Sequence, residues 1–182
     1  YRSSRGLGDV YKRQINLQGT ATEVAAAVAD VNTFSGTPTA ELSSNHTLAE
    51  LVAINNALTG TLTLNSYGVA LSASAADIKA ALAGSFASTY TGNVTITDAN
   101  GSGIAATDIT TIAGDTSGTV TVTNNINITG TSAAIETAVG NVDTFSGTPT
   151  ATLGDAHTLA QLKAINNALS GTLTLNLSLI HI

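Results

Sequence analysis

The sequence predicts an α/β fold: a repeat solenoid of strand–helix coils, each about 24–32 residues long, with a parallel sheet on one side. Three observations predict it. The stretch HTLAELVAINNALTGTLTLN at 46–65 returns as HTLAQLKAINNALSGTLTLN at 157–176, and residues 15–65 slid onto 126–176 match without a gap at 33 of 51 positions, a period of 111. Six times a glycine opens a short run in which threonine alternates: Gly36, Gly60, Gly92, Gly118, Gly147 and Gly171, at spacings of 24, 32, 26, 29 and 24. Apolar residues at helical spacing fill the intervals. One strand and one helix cannot bury their own apolar stripe, whereas stacked copies can. Successive strands joined by helices then pair in parallel through right-handed crossovers. The alternative is a row of β-sandwich domains of period 111 in which the helical patterns are strands.

Each element has its own signal. Period-2 alternation after the six glycines puts Leu, Val and Ile on one face and threonine on the other. Pro38 and Pro149 fall inside two of these runs and predict weaker or irregular pairing there, because proline cannot donate to a ladder. Helices are predicted at about 20–31 (Val24, Val28, Val31), 47–58 (Leu48, Leu51, Ile54, Leu58), 74–86 (Ile78, Leu82, Phe86), 132–142 (Ile135, Val139, Val142) and 158–169 (Leu159, Leu162, Ile165, Leu169). Thr47 with Glu50, Thr158 with Gln161 and Thr20 with Glu23 have the spacing of capping boxes. The stretch 106–113 is the weakest of the helical patterns, with only Ile109 and Ile112, and a single turn is the alternative there. The longer coils carry a second short strand before the helix, at 69–71 and 126–128, with 15–17 as its counterpart. Phe34, Tyr90 and Phe145 each stand two residues before a coil-opening glycine.

Both ends read differently from the middle. Residues 4–14, SRGLGDVYKRQ, resemble the in-frame translation of a transposase-based sequencing adaptor, and 177–182, LSLIHI, resemble its reverse complement. The resemblance implies that 1–14 and 177–182 are adaptor-derived tails and that 15–176 is a fragment of a longer repeat protein. Within 15–176 two cations, Lys79 and Lys163, face eleven acids, a net charge of −9.

That balance excludes a nucleic-acid partner, since an anionic chain repels phosphate backbones. There is no cysteine, so there are no disulfides and no thiol chemistry. No run of about 18 apolar residues is present, so no membrane insertion is expected. Frequent Val, Leu and Ile in strict patterns, with little charge, argue for order.

The motifs HTLAxLxAINNAxSGTLTL and ATDITTIAGDTSGTVTVTN resemble the tandem repeats of very large bacterial surface or secreted, adhesin-like proteins. The resemblance covers nearly all of 15–176. It implies a non-catalytic structural or adhesive array, located outside the cell or on its surface. The partners it implies are neighbouring repeats of the same chain, surface glycans or other cells. It implies no cofactor and carries over no catalytic residue.

Few residues offer chemistry. His46 and His157 stand 111 positions apart, each before a helix, with no second histidine or cysteine near, so a surface or capping-loop role is expected. Asp98, Asn100 and Ser102 follow the first half of a calcium loop, with Asp108 near the place of its closing ligand. The glutamate expected at loop position 12 is missing, so the metal reading is weak beside a glycine-rich turn. Asn55–Asn56 and Asn166–Asn167 are expected to satisfy helix-terminal or inter-coil backbone groups. No nucleophile–base pair emerges, and the chain is read as not an enzyme. The outward threonines make the remaining surface: Thr61, Thr63, Thr95, Thr97, Thr119, Thr121, Thr172 and Thr174 would stack into two rows, with strands ~4.8 Å apart. Such rows are similar to those of ice-binding solenoids, although coils there are shorter and uniform. The ligand-binding alternative is therefore ice on these rows, or calcium.

Overall fold

The computed structural model describes residues 15–175. The expected tails, 1–14 and 177–182, lie outside the described residues.

Strands and helices alternate along the chain, and every described strand pair is parallel. In chain order the elements are β1 (Asn16–Gly19), α1 (Ala21–Ala29), β2 (Thr39–Leu42), α2 (Leu48–Ala57), β3 (Leu62–Thr63), β4 (Leu71–Ala73) and α3 (Ala75–Leu82). They continue with β5 (Val94–Ile96), β6 (Gly103–Ala105), α4 (Ala106–Asp115), β7 (Val120–Val122), β8 (Asn127–Gly130) and α5 (Ser132–Gly140). The last are β9 (Thr144–Phe145), β10 (Thr150–Leu153), α6 (Leu159–Ala168) and β11 (Leu173–Leu175). Among the described residues six helices and wholly parallel pairing overturn the β-sandwich alternative.

The strands form three sheets where one was expected: β1-β2-β3, β4-β5-β7-β9 and β6-β8-β10-β11. The cause is the corner inside most coils. β5 and β6, β7 and β8, and β9 and β10 follow each other directly, yet each pair is split between two sheets. The segments between them are short and turn-forming. At 99–102 the Ser102 amide closes onto the Ala99 carbonyl at 3.0 Å, with Gly101 at φ +81°, a conformation that glycine adopts without strain. Partner residues lie one coil apart: Ala40 pairs with Leu62, Leu71 with Val94, Val94 with Val120, and Asn127 with Thr150. The helices follow the same order, each packing on the next from α1 to α6.

The core lies between helices and sheets. Leu51, Ile54, Ile78, Val94, Ile96, Ile109, Ile128, Ile135 and Leu153 are completely buried. Each such side chain stabilises the fold by about 1.5–3 kcal/mol relative to exposure. The three capping boxes form as their spacing requires, with Thr20, Thr47 and Thr158 each accepting from the third helical amide.

Four local expectations are corrected. Helix α4 is a full ten residues, which sets aside the single-turn alternative, because Ala106 joins Ile109 and Ile112 on the buried face. Val31, Phe86 and Val142 fall beyond the helix ends; Val31 is 42 % exposed, and Phe86 instead bridges to Leu62 across coils. Pro38 and Pro149 stand just before β2 and β10, so they cost the ladders nothing. The additional strands β6 and β9 carry too few apolar positions to show as strands in the sequence.

Four of the six coil-opening glycines have a packing cause. The amides of Gly60 and Gly171 donate to the carbonyls of Pro38 and Pro149 in the preceding coil, at 3.1 and 3.2 Å. A Cβ on either glycine would run into that same carbonyl. At Gly92 it would meet the Val69 carbonyl, and at Gly118 the Gly92 carbonyl. One coil passes over the next too closely for any side chain.

Candidate functional site

The predicted threonines are divided by the three sheets. In the second sheet Thr95 pairs with Thr121, flanked by Ser72 and Thr144, giving a row of four hydroxyl residues. In the third sheet Thr174 pairs with Thr152 and Thr152 with Thr129. Thr63 belongs to the first sheet, beside Glu41. Thr61, Thr97, Thr119 and Thr172 flank the strands, all exposed, and their backbones still bond to the neighbouring coil. The hydroxyls therefore form two short rows on different sheets, not two rows running the length of the stack. The faces are as expected: Val94, Ile96, Val120 and Val122 are buried while Thr95 and Thr121 are half-buried.

The calcium-loop candidates are engaged with neighbouring coils. Asp98 accepts from the Ala75 amide at 2.7 Å and so caps the N-terminus of α3, where a carboxylate also meets the positive end of the helix dipole. Asn100 accepts from the Asn125 amide at 2.9 Å. The Ser102 carbonyl accepts from the Asn127 amide at 2.8 Å. Asp108 pairs with Lys79 on α3. Among the described residues no three His, Cys, Asp or Glu side chains converge as a metal site would require.

Asp98 is one of a series. The first amide of α1, Ala21, donates to Ser44 at 3.0 Å, and that of α5, Ser132, to Asp155 at 2.7 Å. In all three the acceptor lies 23 residues on, two residues past the end of β2, β5 or β10. Asparagines work in the same way. Asn93 accepts from the Thr119 amide, Asn125 from the Thr148 amide, and Asn55 donates to the Ala81 carbonyl at the end of α3. The expected inter-coil role of Asn55 is thus present; Asn56, Asn166 and Asn167 are exposed.

His46 is buried, at 4 % exposure, not on the surface. Its Nε2 lies 3.0 Å from the Tyr90 hydroxyl, and that hydroxyl donates to the Val69 carbonyl at 2.6 Å. The phenol has one hydrogen, which it donates to Val69, so Nε2–H is the donor to Tyr90, and in its neutral form the imidazole is the Nε2–H tautomer. Nδ1 is then an unprotonated, buried acceptor without a hydrogen-bond partner. Burial holds the imidazole below the usual histidine value, with the Glu50 carboxylate pulling the other way. Burial also pushes the Tyr90 phenol up to about 12. The triad ties three successive coils: His46 before α2, Val69 before β4 and Tyr90 before β5. Tyr90 as a partner could have been suspected only from its phase with Phe34 and Phe145.

One shallow hollow of about 330 Å³ lies between α4 and α5, lined by Thr107, Thr110, Thr111, Ala134 and Thr137. The hydroxyls of Thr110, Thr111 and Thr137 donate to carbonyls of their own helices, leaving mainly methyl groups toward the hollow. None of its lining residues ionises.

No described helix is long and apolar enough to cross a membrane. Comparison of the chain with known protein families, curated proteins and solved structures found no match.

Proposed function

We propose that this chain is a segment of an α/β solenoid, built by stacking and serving as a non-catalytic structural or adhesive spacer in a large extracellular bacterial protein. The observation that carries the reading is the use made of the polar side chains. The groups that could bind a ligand, Asp98, Asn100, Asp108, Asn93, Asn125 and Asp155, are committed to the adjacent coil. Helices packed in strict order and strands paired one coil apart give each coil two neighbours and little else. A molecule organised in this way gains length with each added coil. Its work is then to span distance and to present a surface.

The test is small-angle X-ray scattering on arrays of one, two and three 111-residue periods. The reading expects the maximum dimension to grow in proportion to period number at constant cross-section. A radius of gyration that follows compact-globule scaling would reject it.

A second reading rests on the row Ser72–Thr95–Thr121–Thr144. Parallel strands hold these hydroxyls at a regular spacing of about 4.8 Å, which suits an ordered, uncharged, hydroxyl-rich surface such as ice or a glycan. Thermal hysteresis or glycan-array binding that disappears in Thr95→Val/Thr121→Val would support it. Binding unaffected by the double substitution would reject it.

A further inference from the structure

The two ends of the described stack are built from parts that already fit each other inside it. Helix α6, LAQLKAINNA, repeats α2, LAELVAINNA. Helix α1 matches α3: Thr20 and Ser74 are the N-caps, Glu23 and Asp77 the third helical residues, Val24 and Ile78 the core anchors, Ala27 and Ala81 the small residues one turn later. Within the chain α3 covers α2. By position, α1 of a second copy is shaped to cover α6 of the first.

Exposure marks both faces. Ala81, under α2, is completely buried, whereas its counterpart Ala27 is exposed. Leu51 in α2 is completely buried, whereas its counterpart Leu162 in α6 is only half-buried. Among the described residues the three large apolar side chains that stand exposed are Ile15 and Val31 in the first coil and Leu159, 86 % exposed, in the last. Strand β11 pairs on one side only among the described residues.

We infer that this chain associates with a second copy of itself, head to tail, with the α1 face of one molecule seated on the α6 face of the next. The contact that fixes the register is already present once in the structure. The Asn55 side-chain amide donates to the Ala81 carbonyl at 2.6 Å, one of the last four helical carbonyls, which have no partner within the helix. In the assembled pair Asn166 donates to the Ala27 carbonyl of the second copy. One position departs from the internal pattern. Gly84, which lies against the Asn55 side chain, is replaced by Asp30 in the first coil. The Asn166 amide turns to make room, and the Asp30 carboxylate adds an acceptor for it. The two faces differ, so the interface is heterologous and leaves a free face at each end, and growth is open-ended.

Sedimentation velocity on the full chain over a hundredfold concentration range tests this inference. The wild-type weight-average sedimentation coefficient is expected to climb with concentration without reaching a dimer plateau. Ala27→Arg spoils one face and Asn166→Arg the other; both sites are exposed, and far-UV circular dichroism melts confirm that each variant is folded. Each variant alone should sediment as a monomer. Mixed in equal amounts they should form a dimer and stop, since one intact α6 face meets one intact α1 face. If either arginine variant does not fold, Ala27→Glu and Asn166→Glu replace it in the same scheme. A wild-type monomer at all concentrations, a dimer that survives in Ala27→Arg alone, or a mixture that stays monomeric would each overturn the inference. A monomeric result bears on end complementarity only; the spacer reading stands or falls by scattering from the covalent arrays.

Discussion

His46 and Tyr90, 44 residues apart in sequence, meet at 3.0 Å in the interior, and the Tyr90 hydroxyl donates its own hydrogen bond to the Val69 carbonyl. A chain with few ionisable groups has thus placed a neutral imidazole in its core as a tie between three coils. Its unpartnered Nδ1 makes the tie sensitive to acid.

Stability should fall in mild acid. His46 in the folded chain titrates below the ordinary value of 6.5, so the unfolded state binds more protons once the pH drops through that value. The His46 contribution is complete above pH 6.5 and is lost as the pH falls from there through the depressed folded value. Urea midpoints measured from pH 8 to pH 5 should decline for the wild type. His46→Gln should lower stability at pH 8 and flatten that decline. An unchanged slope in the variant would show that His46 is not the group that makes the fold acid-sensitive.

Tyr90→Phe removes one oxygen and leaves the buried His46 Nε2–H and the half-buried Val69 carbonyl without this partner. A loss of about 1–3 kcal/mol is expected in chemical denaturation. The ring itself remains, so packing against Phe86, centroids 5.9 Å apart, is retained.

Two glycines should behave in opposite ways. Gly118→Ala drives a methyl group onto the Gly92 carbonyl, where only backbone can yield, and a cost of at least about 3 kcal/mol or failure to fold is expected. A Cβ on Gly103 meets nothing within 4 Å, and Gly103→Ala should be neutral or stabilising by about 0.4–1 kcal/mol. Thermal melts of the two variants side by side decide the matter.

Asp98→Ala should cost about 1 kcal/mol through the lost cap on α3. The wild-type melting temperature should be the same in millimolar calcium and in EDTA. A calcium-dependent rise in wild type that disappears in Asp98→Ala would restore the metal reading of this loop.

Much of the fold could be read in the sequence because the repeat states it more than once. Capping boxes at Thr20, Thr47 and Thr158 and aliphatics such as Ile54 and Ile165 placed the helices, and alternating threonines placed the strands. Division into three sheets could not be read. It depends on corners such as 99–102, whose residue types specify a turn but not which sheet the chain enters next. The roles of Asp98 and Asn100 were hidden for a related reason. A short polar loop that caps the coil below has the same composition as one that holds a cation, and only the neighbour's position separates them. The contact between Tyr90 and His46 is not legible in the sequence, because the two lie two coils apart.

The caps set 23 residues ahead have a consequence for biosynthesis. Ala21, Ala75 and Ser132 each open a helix with an amide whose acceptor belongs to sequence translated later. In a nascent chain the first amide of each of these helices therefore stays open as the helix leaves the ribosome, and it is sealed only when a further stretch has emerged and closed over it. Order should follow translation at a fixed lag, one turn of the stack behind the exit tunnel.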